Sequence, residues 1–99
     1  MKATYNTKPD TYFVSGDELR IRFDIVESED SEGVTVWTCQ EALVNKWANR
    51  GQIIEAVMAC IYPTPGAEFA AICSGGEDAA KHEAARTQAK ALAQDWAAS

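Results

Sequence analysis

The chain has 99 residues and a formal net charge of −6, with 15 acidic against 9 basic side chains. Its cations (Lys2, Lys8, Arg20, Arg22, Lys46, Arg50, Lys81, Arg86 and Lys90) are scattered along the sequence, which disfavours nucleic acid and anionic membrane surfaces as partners. Apolar residues make up 46% of the chain, enough to argue against wholesale disorder, but many are alanines that bury little, so stability leans on a thin core or a partner subunit.

This length suits a single domain over residues 1–99, with a strand meander at about 10–46 and a helical part at about 49–98. Tyr12-Phe13-Val14 predicts a short strand entering a turn at Ser15-Gly16-Asp17-Glu18, where Gly16 supplies backbone freedom. Leu19, Ile21, Phe23 and Ile25 then alternate with Arg20, Arg22 and Asp24, the period of a strand with one buried and one wet face. Glu27-Ser28-Glu29-Asp30-Ser31-Glu32-Gly33 cannot bury itself and reads as a hairpin loop. Val34 to Cys39, rich in β-branched and aromatic residues, returns as the next strand. That strand extends through Ala42-Leu43-Val44, unless Gln40-Glu41-Ala42-Leu43 begins a helix. Strands joined in sequence by short turns make a three-stranded antiparallel meander.

Beyond it the period changes. Asn49-Arg50-Gly51-Gln52 has the form of a capping box, and Ile53, Ile54, Val57, Met58, Ile61 and Tyr62 follow at helical spacing. Pro63 ends that helix. Thr64 as N-cap and Pro65 at the first helical position start a second, with Phe69, Ile72 and Cys73 as its inward face and Ser74-Gly75-Gly76 as its end. A third and longest helix runs from about Glu77 to near Trp96, its first turn acidic and its body rich in helix formers. The expected fold class is therefore α+β, a three-stranded meander followed by three helices. On the last helix His82, Ala85, Ala89, Leu92 and Trp96 recur at spacings of three and four, the pattern of a helix–helix seam whose small residues admit a close neighbour. These five form the candidate interface.

Little in the sequence points to catalysis. His82 is the only histidine, and only Asp78 and Glu83 stand near it in sequence, too few for a metal site or a general base. The acidic run from Glu27 to Glu32 lacks the spacing of a calcium loop, and Gly75-Gly76 lacks the lysine and preceding strand of a phosphate loop. The three cysteines, Cys39, Cys60 and Cys73, have no CxxC spacing and read as buried free thiols in a reducing compartment. No cofactor, no metal and no enzyme activity are expected. The opening Met1-Lys2-Ala3-Thr4-Tyr5-Asn6 does not read as a signal peptide, and the apolar stretch from Ile53 to Tyr62 is far short of the ~20 residues that span a bilayer. The expected place is the cytoplasm or a particle assembled there. The tryptophans, Trp37, Trp47 and Trp96, strain the capacity of so small a core, and at least one should be partly exposed for contact.

The succession Gln52-Ile53-Ile54-Glu55-Ala56-Val57, Ile61-Tyr62-Pro63, Glu68-Phe69-Ala70-Ala71-Ile72, His82-Glu83 and Arg86-Thr87-Gln88-Ala89-Lys90-Ala91-Leu92-Ala93 resembles small uncharacterised phage and prophage proteins. Those are encoded among tail and tail-fibre genes, notably in gut bacteria. The resemblance covers about Tyr12 to Ala93, although a tryptophan usual before the arginine is Ala85 here. It implies a virion-associated or tail-assembly role through protein–protein contacts, with a second copy or a tail or fibre protein as partner and a homo-oligomer as one outcome. It carries no catalytic residues over. The other class of function is an acidic regulatory or decoy module, whose cluster Asp24, Glu27, Glu29, Asp30 and Glu32 would meet a basic host protein.

Overall fold

Sequence-local signals account for most of the elements seen in a computed structural model of the chain. The structure describes residues 1–98; Ser99, the last residue of the expected domain, lies outside the described residues. In chain order the elements are β1 (Lys2–Tyr5), β2 (Tyr12–Ser15), β3 (Glu18–Glu29), β4 (Thr35–Asn45), α1 (Arg50–Ile61), α2 (Pro65–Ser74) and α3 (Gly76–Ala98). The fold is α+β, with the last helix the longest. Two compact units divide it, one spanning Met1–Trp47 and the other beginning at Ala48.

The sheet has four strands rather than three. β2, β3 and β4 form the antiparallel meander, and β1 adds to the far side of β4, giving the order β1-β4-β3-β2. Lys2–Tyr5 pairs with Gln40 to Trp37, more than thirty residues away, so nothing local marks it as a strand. The connection from β1 to β2 must cross the sheet, a Greek-key arrangement. The segment Gln40 to Leu43 is strand, not helix, because it pairs on one side with β3 through Phe23 to Arg20. Gly16, at φ +61°, takes the left-handed backbone that the tight β2–β3 turn requires.

Register places Leu19, Ile21, Phe23 and Ala42 on one face, each at most 3% exposed. The alternation breaks after Phe23. Residues 24 and 25 stand opposite Cys39 alone, a β-bulge in which Asp24 has φ +53°. Beyond the bulge the parity of β3 is reversed, so Glu27 and Glu29 fall on the same face as Arg20 and Arg22. Glu27 to Glu29 of the acidic stretch belong to β3, and only the residues from Asp30 to Gly33 form the turn. The turn itself is short, and the Asp30 side chain holds it by accepting from Glu32 N and Val34 N, each at 2.9 Å.

In the second unit the capping box forms as its spacing predicts. Asn49 Oδ1 accepts from Gln52 N at 2.8 Å, and Gln52 Oε1 accepts from Asn49 N at 2.9 Å. Thr64 Oγ1 accepts from Ala67 N at 3.1 Å, capping α2 ahead of its first-position proline. α3 packs against both α1 and α2. Ile53, Val57 and Met58 of α1 are buried, as are Ala85, Ala89 and Ala93 of α3, and the small alanine surface lets the helix backbones lie close. No single helix among the described residues is long and apolar enough to cross a membrane.

Candidate protein-contact surfaces

The five seam residues lie along α3, within the helical unit. Ala85 and Ala89 are buried at 8% and 0% exposure, and Leu92 and Trp96 are partly buried and engaged with neighbours. His82 Nε2 lies 2.9 Å from Glu68 Oε1 of α2, and its ring is tilted against Tyr62 with centroids 5.4 Å apart. The helical spacing of three and four therefore marks a seam used inside this chain, where α1 and α2 supply the neighbouring helices. Ala93, outside the expected set, is fully buried on the same helix.

The apolar surface left open in this unit is on α2. Phe69 is 68% and Ile72 50% exposed, Cys73 is exposed, and no residue of α2 is buried. This corrects the expected inward face. Phe69, Ile72 and Cys73 do share one side of the helix, but the half-buried positions of α2 are Glu68 and Ala71, and Glu68 pairs with His82 of α3. Cys73 is likewise not a buried thiol; Cys39 is, and Cys60 is partly buried. Burial pushes the Cys39 thiol up from its ordinary pKa, so it is a poor nucleophile.

Beside α2 is a pocket of about 260 Å³. Ile54, Met58, Tyr62, Pro63 and Pro65 give it apolar walls, and Glu55, Glu68 and Arg86 add charge. Glu68 is already paired with His82. Glu55 and Arg86 make no ion pair among the described residues.

In the sheet unit the expected wet face is partly covered. The β1–β2 connection passes over it: Arg22 Nη1 donates to the Asp10 carbonyl at 3.3 Å, and Lys8 Nζ stands 5.8 Å from the Trp37 ring centroid. Beneath it Arg22 is only 8% exposed, sandwiched between the Tyr5 ring at 4.7 Å and the Phe13 ring at 5.1 Å. Its partner is Glu41, 3% exposed, which accepts from Arg22 Nε at 3.2 Å, from Arg20 Nη1 at 3.3 Å and from the Tyr5 hydroxyl. Burial alone would raise the Glu41 carboxyl, but the hydrogen bonds from Tyr5 and Arg22 and the two guanidinium charges outweigh it and hold the group below its usual range. With every buried side-chain N and O among the described residues partnered, this cluster is a closed structural network.

Compared with protein-family models, curated proteins and solved structures, the chain matches none. Its surfaces therefore have to speak from their own chemistry. Among the described residues, no group of three His, Cys, Asp or Glu is placed to hold a metal ion. What the surface does present is aromatic and apolar. Trp47, just past β4, is 70% exposed, with Lys46 Nζ 4.6 Å from its ring centroid and its own backbone N–H bonded to Asn45 Oδ1 at 2.9 Å. Sequence reasoning found the tryptophan surplus but missed the α2 surface and the pocket. The Phe69–Ile72–Cys73 spacing marked a face without saying whether anything covers it, and the pocket joins residues from three helices.

Proposed function

We propose that this chain is a non-enzymatic phage or prophage protein that works by protein–protein contact, as a virion-associated or tail-assembly component. The observation that carries the reading is the uncovered apolar face of α2, with Phe69 68% and Ile72 50% exposed. Large apolar groups grouped on one helix face cost solubility and commonly mark contact surfaces. The resemblance to proteins encoded among tail and tail-fibre genes supplies the partner: an apolar surface on a tail or fibre protein. The stripe is smaller than the ~800 Å² per partner of a stable interface, so it acts as the anchor of a wider contact. The test is proteomic analysis of particles and tail intermediates from an induced lysogen, with wild-type protein against the double variant Phe69→Ser, Ile72→Ser. Incorporation that the variant loses is the expected result. A chain absent from every particle and intermediate refutes the reading.

The second reading is an acidic module for a basic host protein. Glu27, Glu29 and Glu32 are exposed and make no ion pair among the described residues, which favours it. The acidic hairpin and Trp47 lie at opposite ends of β4, about 35 Å apart for eleven strand residues. That distance keeps the exposed Trp47 apart from the acidic hairpin and supports the assembly role, while the half-buried Trp37 pairs directly with Glu27. Binding of a basic protein that weakens steeply with added salt would instead support the decoy.

A further inference from the structure

Trp47 and the helical pocket form a complementary knob and hole, and we infer that in solution the Lys46–Trp47 knob of one copy enters the pocket of a second. The inference rests on the contact role proposed above and names one partner for it, another copy of this chain. Three observations carry it. Trp47 is the most exposed large apolar residue, at 70%, and its backbone is pinned rather than loose, since Trp47 N bonds to Asn45 Oδ1 and Lys46 N to the Asp17 carbonyl at 2.8 Å. The pocket, at about 260 Å³, is just under the ~300–1,000 Å³ of small-molecule sites and suits one large side chain.

Charge is the third. Lys46 stands over the indole at 4.6 Å and is held by Asp17 only loosely, at 3.9 Å. An indole entering the pocket therefore brings an ammonium to a wall where Glu55 and Arg86 both have no ion pair among the described residues, and Glu55 is the one that attracts it. Aromatic anchors filling desolvated pockets, with charges at the rim, are the usual centre of a protein contact. Because knob and hole are different surfaces, each copy can give a knob and receive one, either by reciprocal exchange in a dimer or by head-to-tail addition.

The experiment is sedimentation velocity and light scattering of the full chain from micromolar to millimolar concentration, for the wild type and two variants. Trp47→Ala removes the knob, and Ala59→Trp, at an exposed residue that also lines the pocket, fills the hole; both positions lie at the surface, and circular dichroism checks that each variant folds. Wild type should associate with concentration, into a reciprocal dimer or a larger assembly, and each variant alone should stay monomeric or need at least tenfold more protein to associate. An equimolar mixture should stop at a one-to-one dimer, because each variant retains only one working surface. The charge term is read from Lys46→Glu, which should weaken association, and its pairing with Glu55→Lys, which should restore it. A wild type monomeric throughout overturns the inference, as does a Trp47→Ala chain that associates like wild type, or a mixture that forms no dimer. If the wild type is monomeric yet enters particles through α2, only this inference fails. If it self-associates through Trp47 but is absent from particles and intermediates, only the assembly role fails.

Discussion

Removing the Glu41 carboxylate should unfold the sheet far more readily than its size suggests. Glu41 and Arg22 side chains are 2% and 10% exposed, so Glu41→Ala strands a guanidinium that water barely reaches. Breaking a buried ion pair by deleting one partner costs about 3–5 kcal/mol. Here Arg22 keeps the Asp10 carbonyl and two aromatic rings, which places the expected loss at the lower end, about 3 kcal/mol. That is roughly a hundredfold in the folding equilibrium, against a total stability of about 5–15 kcal/mol. Urea unfolding followed by tryptophan fluorescence, with amide exchange along β3 and β4, measures it. The triple variant Tyr5→Phe, Arg22→Met, Glu41→Leu is the control: replacing the whole network with apolar groups should restore most of the loss. A Glu41→Ala chain within about 0.5 kcal/mol of wild type, the range of ordinary surface changes, would refute the view that this cluster is sealed from water. The same network sets the acid limb. Because the folded carboxyl is held below its unfolded value, its contribution is complete above the ordinary carboxylate range and is lost as pH falls through the folded pKa. Glu41→Gln should flatten that part of the stability–pH curve.

The exposed α2 face separates two kinds of substitution. Phe69→Ala should change stability by no more than about 0.5 kcal/mol, whereas Ile53→Ala, at 1% exposure, should cost about 2–5 kcal/mol by denaturant titration. Asn49→Ala removes the acceptor of the α1 capping box and should cost about 1 kcal/mol, read from the same titration. A thiol reagent should label Cys73 at once, Cys60 more slowly and Cys39 only as the sheet opens, followed by mass spectrometry of digested protein.

The parts of this fold legible in the sequence are those whose physics is local. Asn49 with Gln52 and Thr64 with Pro65 satisfy helix ends within three residues, so their side chains announce the caps directly. The alternation from Leu19 to Phe23 and the acidic turn announced β3 and its hairpin in the same way. β1 did not show, because four residues carry no reliable period and its stabilising bonds come from β4. Arg22 looked solvated by alternation alone, and only the chain crossing above it makes it buried. The interface residues divide along the same line. His82, Ala85, Ala89, Leu92 and Trp96 do lie along a packing helix, but periodicity cannot say which helix fills a seam. Phe69 and Ile72 show the converse, a face with the right spacing and no cover among the described residues.

The bulge at Asp24 also governs what the open side of β3 can do. β2 pairs only with Glu18 to Ile21, leaving the acidic half of the twelve-residue β3 with β4 as its one strand neighbour. A flat free border of this length is a template on which a stray chain can add a strand and start aggregation. A left-handed residue in mid-strand kinks that border, and Glu27 and Glu29 beyond the kink put charge where an incoming strand would lie. The acidic run thus has a use that needs no partner at all: it keeps copies of this chain from joining edge to edge.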